Sequence, residues 1–298
     1  MIKSSKYYDF GLWFVIGCSI GLTAYSTWCG LGLTYDSFDY QAASESFREN
    51  GVFTNHNGTP YNFHAPLFPV LLSFLGEDPN TSFVLLNTVI CTFTLLLLFI
   101  STRKFFNNNF LYLLGYISIS LNVGFQMIHH FLWTEPIFLL LFVIHNYLLL
   151  RFFEKERKAD FWILISIAFL MGITKNTGFF IILITSGIIL LFSKKAAFNK
   201  SAVYILLSSF GFVVWNIYVF ACRNGEQMFR TNEFLQSIDL NFFNYLNVIS
   251  QWFLPGIIPV WFRLLLLAFI LIIFFKLFQK EKPTIQVRIF LIQFLAYL

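Results

Sequence analysis

Apolar runs long enough to cross a bilayer, about 20 residues each, recur along this 298-residue chain. Hydrophobic residues make up 57% of the sequence and charged residues only 12%, whereas a soluble domain usually carries about 25% charged residues. One globular core cannot hide that much apolar surface, so the composition indicates an integral membrane protein. We expect an all-α, polytopic transmembrane bundle of about eight or nine spans, forming a single domain.

The predicted spans cover residues 10–33, 81–100, 110–126, 132–150, 161–172, 178–192, 202–221 and 257–278. A shorter run over residues 67–75 is predicted to be a re-entrant or surface helix, because Gly76 and the polar residues after it interrupt the run. The last run, residues 289–298, is only about ten residues long and cannot cross a bilayer. We therefore expect the chain to be incomplete at its C-terminus.

The lysines and arginines favour one orientation of these spans. With the N-terminus inside, 15 of the 20 cations fall in inner loops, as the positive-inside rule requires. The polar stretch 34–69 then lies outside, together with ten of the 15 acidic residues. We expect a multi-pass protein of a bacterial inner or plasma membrane with a cytoplasmic N-terminus. Orientation also explains the net charge of +5, so nucleic acid is not an expected partner.

The longest polar interval, residues 34–69, is predicted to be an external loop that carries the functional site. Asp36 or Ser37 is predicted to cap a short helix there, and Gly51 to end it. Three apolar residues at helical spacing should face the membrane surface: Tyr40, Ala43 and Phe47. Asp36 is then either a helix cap alone or a functional acid at the bilayer edge.

Five further residues at the outer ends of spans are candidates for the same site. His64 is either a solvated loop residue or a contact for a polar ligand. Glu135 opens the fourth span, where it either favours the helix dipole or is functional. Lys175, Arg223 and Arg230 lie in outer turns or loops, where they either snorkel to lipid headgroups or bind a phosphate.

Other chemistries have little support in the sequence. The four cysteines show no C-x-x-C spacing and are predicted to be buried as small apolar residues. His129 and His130 have no partner at clear metal-ligand spacing. Walker A, dinucleotide-binding, zinc-protease and G-x-S-x-G motifs are absent from the sequence. No cofactor is therefore predicted with certainty, and a divalent metal remains an option.

Five short motifs, taken in order, resemble the GT-C superfamily of polytopic glycosyltransferases. The resemblance is closest to the branch that contains protein O-mannosyltransferases and the aminoarabinose transferase of bacterial lipid A. The motifs are Asp36-Ser37-Phe38-Asp39-Tyr40, Ala43 with Gly51, Pro66-Leu67-Phe68-Pro69, Thr134-Glu135-Pro136 and Gly172-Ile173-Thr174-Lys175. Family members are usually longer, and many have an Arg or another polar residue in place of His64.

The resemblance implies a membrane glycosyltransferase that inverts the sugar. The donor would be a sugar on a polyprenyl phosphate in the membrane lipid, and the acceptor a hydroxyl of a glycan, lipid or protein. Asp36 would be the general base, and Lys175 with Arg223 or Arg230 would hold the phosphate. The other substrate-binding candidates are Asp39, Tyr40, His64 and Glu135, of which Asp39 and Glu135 would orient the acceptor or tune Asp36.

Two other classes of function fit the spans equally well. A flippase for lipid-linked sugars, or a small-solute transporter, would need functional polar residues at mid-bilayer. The sequence offers few of these, and they are scattered: Asn87, Asn122, His145 and Asn216. A non-catalytic remnant or assembly subunit is the third class, since the chain is expected to be incomplete.

Overall fold

The structure, a computed structural model, describes residues 6–76, 78–103, 109–193, 196–222, 258–266, 268–269 and 272. Up to residue 222, the described residues form ten α-helices and two isolated β-bridges. The helices are α1 (Lys6–Ser26), α2 (Tyr35–Asn50), α3 (Leu67–Ser73), α4 (Pro79–Thr102), α5 (Asn109–Ser120), α6 (Val123–Ile128), α7 (Glu135–Lys155), α8 (Lys158–Thr174), α9 (Thr177–Phe192) and α10 (Ala197–Cys222). The predicted all-helical fold is confirmed for this part of the chain.

Three helices are long and apolar enough to cross a membrane. They are Thr81–Thr102 within α4, Glu135–Lys155 and Ala197–Cys222, with mean hydropathies of 2.5, 1.8 and 1.9. Two shorter apolar helices accompany them, Phe10–Ser26 and Thr177–Phe192. Of the predicted span 257–278, the structure describes only residues 258–266, 268–269 and 272, and the run 289–298 falls wholly outside the described residues. The total of eight or nine spans therefore stays a prediction.

Helix α7 lies at the centre of the bundle. In the most apolar stretch of α7, 67% of the residues are buried inside the protein, against 11% in that of α10. Helix α7 packs on α4 and α8, α8 packs on α9 and α10, and α1 packs on α4 and α5. The remaining surface of α10 exposes large apolar side chains such as Phe198, Leu206 and Ile217. That surface suits contact with lipid.

The polar stretch folds onto the bundle through α2 and α3. The apolar face predicted for α2 is present, because Tyr40 and Ala43 are buried. Protein covers this face, however: the Tyr40 ring contacts Phe68 of α3 edge to face, at 5.0 Å between centroids. One buried cluster joins these residues to Phe138 of α7 and Met171 of α8. The prediction that Tyr40 and Ala43 rest on the membrane surface is therefore wrong.

The first predicted span ends earlier than its hydropathy suggests. Helix α1 stops at Ser26, and the chain then turns and becomes extended. The Gly32 N–H donates to the His130 carbonyl at 2.8 Å, and the Leu132 N–H donates to the Gly32 carbonyl at 3.0 Å. These two backbone bonds pair the extended segment with residues 130–132 in place of a continued helix. The predicted helix over 10–33 is therefore wrong after Ser26.

The third predicted span, residues 110–126, is broken. Helix α5 ends at Ser120, and α6 begins after Asn122, whose Oδ1 accepts from Gly124 N at 2.8 Å and Phe125 N at 3.3 Å. An asparagine that captures backbone amides in this way starts a new helix rather than continuing the old one. The Gln126 amide then donates to the Ser120 carbonyl at 2.7 Å, which fixes the break.

The cysteines follow the prediction in part. All four are free thiols. Cys91 is buried, as predicted, and its Sγ lies 3.6 Å from the Thr23 hydroxyl. Cys29 is exposed, because the chain has already left α1 there, so the prediction of burial is wrong for this residue.

Gly32→Ala is expected to destabilise the protein by about 1–3 kcal/mol. A Cβ on Gly32 would lie 2.6 Å from Cδ1 of Phe131. The Trp133 ring stacks on the Phe131 ring, at 4.7 Å between centroids, and limits its movement. The matched control is Gly21→Ala in α1, where a Cβ has open space and alanine should stabilise by about 0.5–1 kcal/mol. Thermal unfolding in detergent separates the two variants, and equal midpoints would contradict this packing.

Candidate functional site

The start of α2 places Asp36. Thr34 is the N-cap, so the prediction that Asp36 or Ser37 caps the helix is wrong. The Thr34 N–H donates to Ser37 Oγ at 2.9 Å, which leaves Asp36 in the first turn with about half of its side chain exposed. A carboxylate there is favoured by the helix dipole. The predicted end at Gly51 is confirmed, with φ of 69° and an N–H that donates to the Phe47 carbonyl.

A clamp of four hydrogen bonds joins this segment to the start of α7. Two are the backbone bonds of Gly32 described above. Trp133 Nε1 donates to Thr34 Oγ1 at 2.9 Å, and Ser37 Oγ donates to the Leu132 carbonyl at 3.1 Å. The clamp therefore fixes the first turn of α2 beside the first turn of α7.

Asp36, His64 and Tyr40 form a row. His64 Nε2 lies 3.6 Å from Asp36 Oδ1, and His64 Nδ1 lies 3.4 Å from the Tyr40 hydroxyl. The ring centroids of Tyr40 and His64 are 4.9 Å apart, and those of Phe63 and His64 are 5.0 Å apart. His64 is therefore enclosed in the structure, with 17% of its side chain exposed, rather than solvated as a simple loop residue.

Asp39 pairs with a second histidine. Its Oδ1 lies 2.6 Å from His56 Nδ1, and the Asp39 side chain is 11% exposed. The exposed Tyr35 ring contacts His56 edge to face, at 4.9 Å. Nothing in the sequence pattern relates His56 to Asp39, so the sequence analysis missed His56. The pair fixes His56 against α2 and leaves Asp39 less open to a substrate than Asp36.

Glu135 and Lys175 form an ion pair at the same end of the bundle. Lys175 Nζ lies 2.6 Å from Glu135 Oε1, and the Thr134 hydroxyl donates to Glu135 Oε2 at 3.2 Å. Lys175 lies in the turn between α8 and α9. This turn requires Gly178, because a Cβ there would overlap the backbone of Met171. With 36% of its side chain exposed, Lys175 remains open to a second anion.

The charges of these groups act on the pKa of His64. Burial lowers the pKa of His64, and the carboxylates of Asp36, Asp39 and Glu135 oppose this shift, while Lys175 adds to it. Burial also raises the pKa of Tyr40, as do Glu135, Asp36 and Asp39. Tyr40 thus keeps its hydroxyl hydrogen and His64 is neutral at pH 7. The structure brings together Asp36, Asp39, Tyr40, His64, Glu135 and Lys175; Arg223 and Arg230 lie outside the described residues.

An apolar groove borders this charged site. A cavity of about 480 Å³ lies between the loop after α2 and the helices α8 and α10, and is lined by Gly51, Val52, Phe53, Pro66, Phe169, Phe210, Gly211, Val214, Trp215 and Tyr218. Trp215 contacts Phe53 at 5.9 Å and the buried Tyr61 at 6.2 Å. Tyr61 in turn lies 6.2 Å from His64. The Trp215 and Tyr61 rings therefore connect the groove to His64 at the edge of the charged site.

The described residues contain no group of three or more His, Cys, Asp or Glu side chains placed to hold a metal ion. His129, a weak metal candidate, is buried, and its Nδ1 lies 2.9 Å from Asn87 Oδ1. The two carboxylate–histidine pairs remain separate two-residue contacts.

No family model matches this chain, and neither the curated proteins nor the solved structures include a match. The likeness to GT-C glycosyltransferases therefore rests on the motifs alone.

Lowering the pH below about 6.5 is expected to destabilise the protein through His64. The pKa of this histidine is lowered on folding, so between that value and the ordinary 6.5 the unfolded chain binds the proton and the folded one does not. The free energy of unfolding therefore decreases as the pH is lowered through this window. His64→Gln should lose less stability between about pH 7 and about pH 5 than the wild type, measured as unfolding midpoints in detergent. Parallel slopes for the two proteins would contradict this.

Proposed function

We propose that this protein is a membrane glycosyltransferase that transfers a sugar from a polyprenyl phosphate to an acceptor hydroxyl, with Asp36 as the general base. One arrangement of side chains at one end of the bundle carries the proposal. A half-exposed carboxylate and a lysine held by a glutamate lie at the same end of the bundle, beside an apolar groove. The motif resemblance to GT-C enzymes points to the same chemistry.

The combination of groove and charges suits an amphiphilic donor. An isoprenyl chain needs an apolar surface, which the groove between Val52, Phe210 and Val214 offers. The phosphate needs a cation, which Lys175 offers. A donor whose chain lies in the groove would therefore present its sugar towards Asp36. A soluble nucleotide-sugar would make no use of the groove.

The reaction divides the work between Asp36 and Lys175. The acceptor oxygen forms a bond to the anomeric carbon while the bond from that carbon to the phosphate oxygen breaks, which inverts the configuration. The acceptor proton moves to the Asp36 carboxylate and then to water. Polyprenyl phosphate leaves as a stable anion, and Lys175 offsets its growing charge. The donor phosphate competes with Glu135 for Lys175, so Glu135 sets the strength of this contact.

The distribution of cations supports an external site. The positive-inside rule puts the N-terminus in the cytoplasm and residues 34–69 on the other side. Lipid-linked donors carry sugars to that side, where nucleotide-sugars are absent. We therefore place the reaction at the outer face of a bacterial inner or plasma membrane.

A carrier function has less support. His145 Nε2 lies 2.8 Å from the Tyr204 hydroxyl, and the Asn216 amide donates to the Phe212 carbonyl at 2.8 Å. Contacts within and between helices thus account for these polar residues without a path for a solute.

Asp36→Asn is expected to lower kcat about 10²–10⁴-fold, because the amide cannot accept the acceptor proton. Sugar transfer is measured in purified membranes with radiolabelled polyprenyl-phosphate sugars, after insertion of the variant has been verified. Glu45→Gln is the matched control, since Glu45 is an exposed acid on the same helix and should keep wild-type activity. An inserted Asp36→Asn protein with full activity would refute the base assignment, and an inactive wild type would refute the transferase.

Val214→Trp is expected to raise the KM for a long-chain undecaprenyl donor about tenfold. The indole would fill the groove that Val214 lines, whereas a short citronellyl donor needs less of that surface and should keep its KM. Ile217→Trp, at an exposed position of the same helix, is the control. Equal effects on the KM values of both donors would contradict binding of the isoprenyl chain in the groove.

A further inference from the structure

We propose that His64 is a positioning residue for Asp36: it presents an Nε2–H to Asp36 Oδ1 and is itself oriented by the Tyr40 hydroxyl on Nδ1. This inference rests on the proposed function for its catalytic meaning, since it gives His64 a role in orienting the base. It differs from direct substrate binding, which is the role that the motif resemblance implies for His64.

The geometry of the row carries the inference. The two ring nitrogens of His64 face two different partners, Tyr40 at 3.4 Å and Asp36 at 3.6 Å. Among the described residues Nε2 has no hydrogen-bond partner, so Asp36 Oδ1 is the group placed to receive its hydrogen. The contact is slightly long for a hydrogen bond, as catalytic contacts often are before substrate binds.

The support for His64 is rigid. Tyr40 is 4% exposed and packs against Phe68, so its hydroxyl has a fixed position. The Tyr61 hydroxyl lies 3.5 Å from the Ala65 carbonyl, which fixes the chain next to His64. A histidine held by ring contacts and on Nδ1 can in turn fix a half-exposed carboxylate.

The surrounding charges select the tautomer. A hydrogen on Nε2 faces a carboxylate oxygen, whereas the other tautomer would set a lone pair against it. Tyr40 keeps its hydroxyl hydrogen and can donate it to Nδ1. The titratable and charged groups around His64 are Asp36, Asp39 and Tyr40 of α2, Tyr61 of the loop, Glu135 of α7 and Lys175 of the α8–α9 turn.

The exposed fractions of the two side chains favour a positioning role for His64 over direct substrate binding. The His64 side chain is 17% exposed, whereas that of Asp36 is 51% exposed. A substrate therefore meets Asp36 first, and His64 lies behind it. If Oδ1 of Asp36 is held by His64, Oδ2 is the oxygen left to take the acceptor proton.

Ring nitrogen NMR tests the pairing without any substrate. The full chain, labelled with ¹⁵N in its five histidine rings, is titrated in detergent from about pH 5 to about pH 8, and His64→Gln assigns the His64 signals. We expect the wild type to carry the hydrogen on Nε2. Asp36→Asn should lower the pKa of His64, because it removes a charge that raises it, and Tyr40→Phe should admit the Nδ1–H form. Hydrogen on Nδ1 in the wild type, or a pKa that ignores Asp36→Asn, would overturn the pairing.

Kinetics test the role with the radiolabelled polyprenyl-phosphate sugars. Gln can still donate an N–H towards Asp36 and Leu cannot. We expect kcat to fall about tenfold in His64→Gln and about 10²-fold in His64→Leu, with the KM for the donor within about twofold of wild type. A raised KM with unchanged kcat would overturn the proposal, because His64 would then bind the donor. If the wild type transfers no sugar, the proposed function fails and the NMR result alone decides the pairing.

Discussion

The backbone pairing of Gly32 with residues 130–132 is the constraint on which the site depends. Helix α2 starts three residues after Gly32, and α7 starts three residues after Leu132. The hydrogen bonds from Trp133 and Ser37 extend the same clamp. Asp36 on α2 and Glu135 on α7 are far apart in sequence, and these contacts bring them to one end of the bundle. The clamp needs a glycine because the Phe131 ring lies directly against it.

Two kinds of surface meet at that end. On one side of Tyr61 lie the carboxylates and Lys175, and on the other lies the groove lined by Trp215 and its neighbours. Water-soluble substrates need only the first surface, and acyl or isoprenyl chains need only the second. A lipid phosphate that carries a sugar would use both, which is the reason that we propose a lipid-linked donor.

The sequence predicted those features that follow from local chemistry. Apolar length predicted the three helices that are long enough to cross a membrane. Gly51 marked the end of α2 because a residue in the left-handed conformation closes the helix there. The N-cap was mispredicted because Thr34, Asp36 and Ser37 are all good caps, and the distant Trp133 contributes to the choice of Thr34. The pairing of His56 with Asp39 had no periodic signal either. Contacts between residues far apart in sequence depend on packing that a single sequence does not display.

The most direct test of this account is to map where an undecaprenyl phosphate with a photoreactive group in its chain attaches to the protein. We predict labelling of residues 51–53 or 210–218, lining the groove, and reduced labelling in Lys175→Met, since the phosphate then loses its cation. Labelling spread over α1 and α5, or unchanged by Lys175→Met, would contradict a lipid phosphate bound with its head at Lys175 and its chain in the groove.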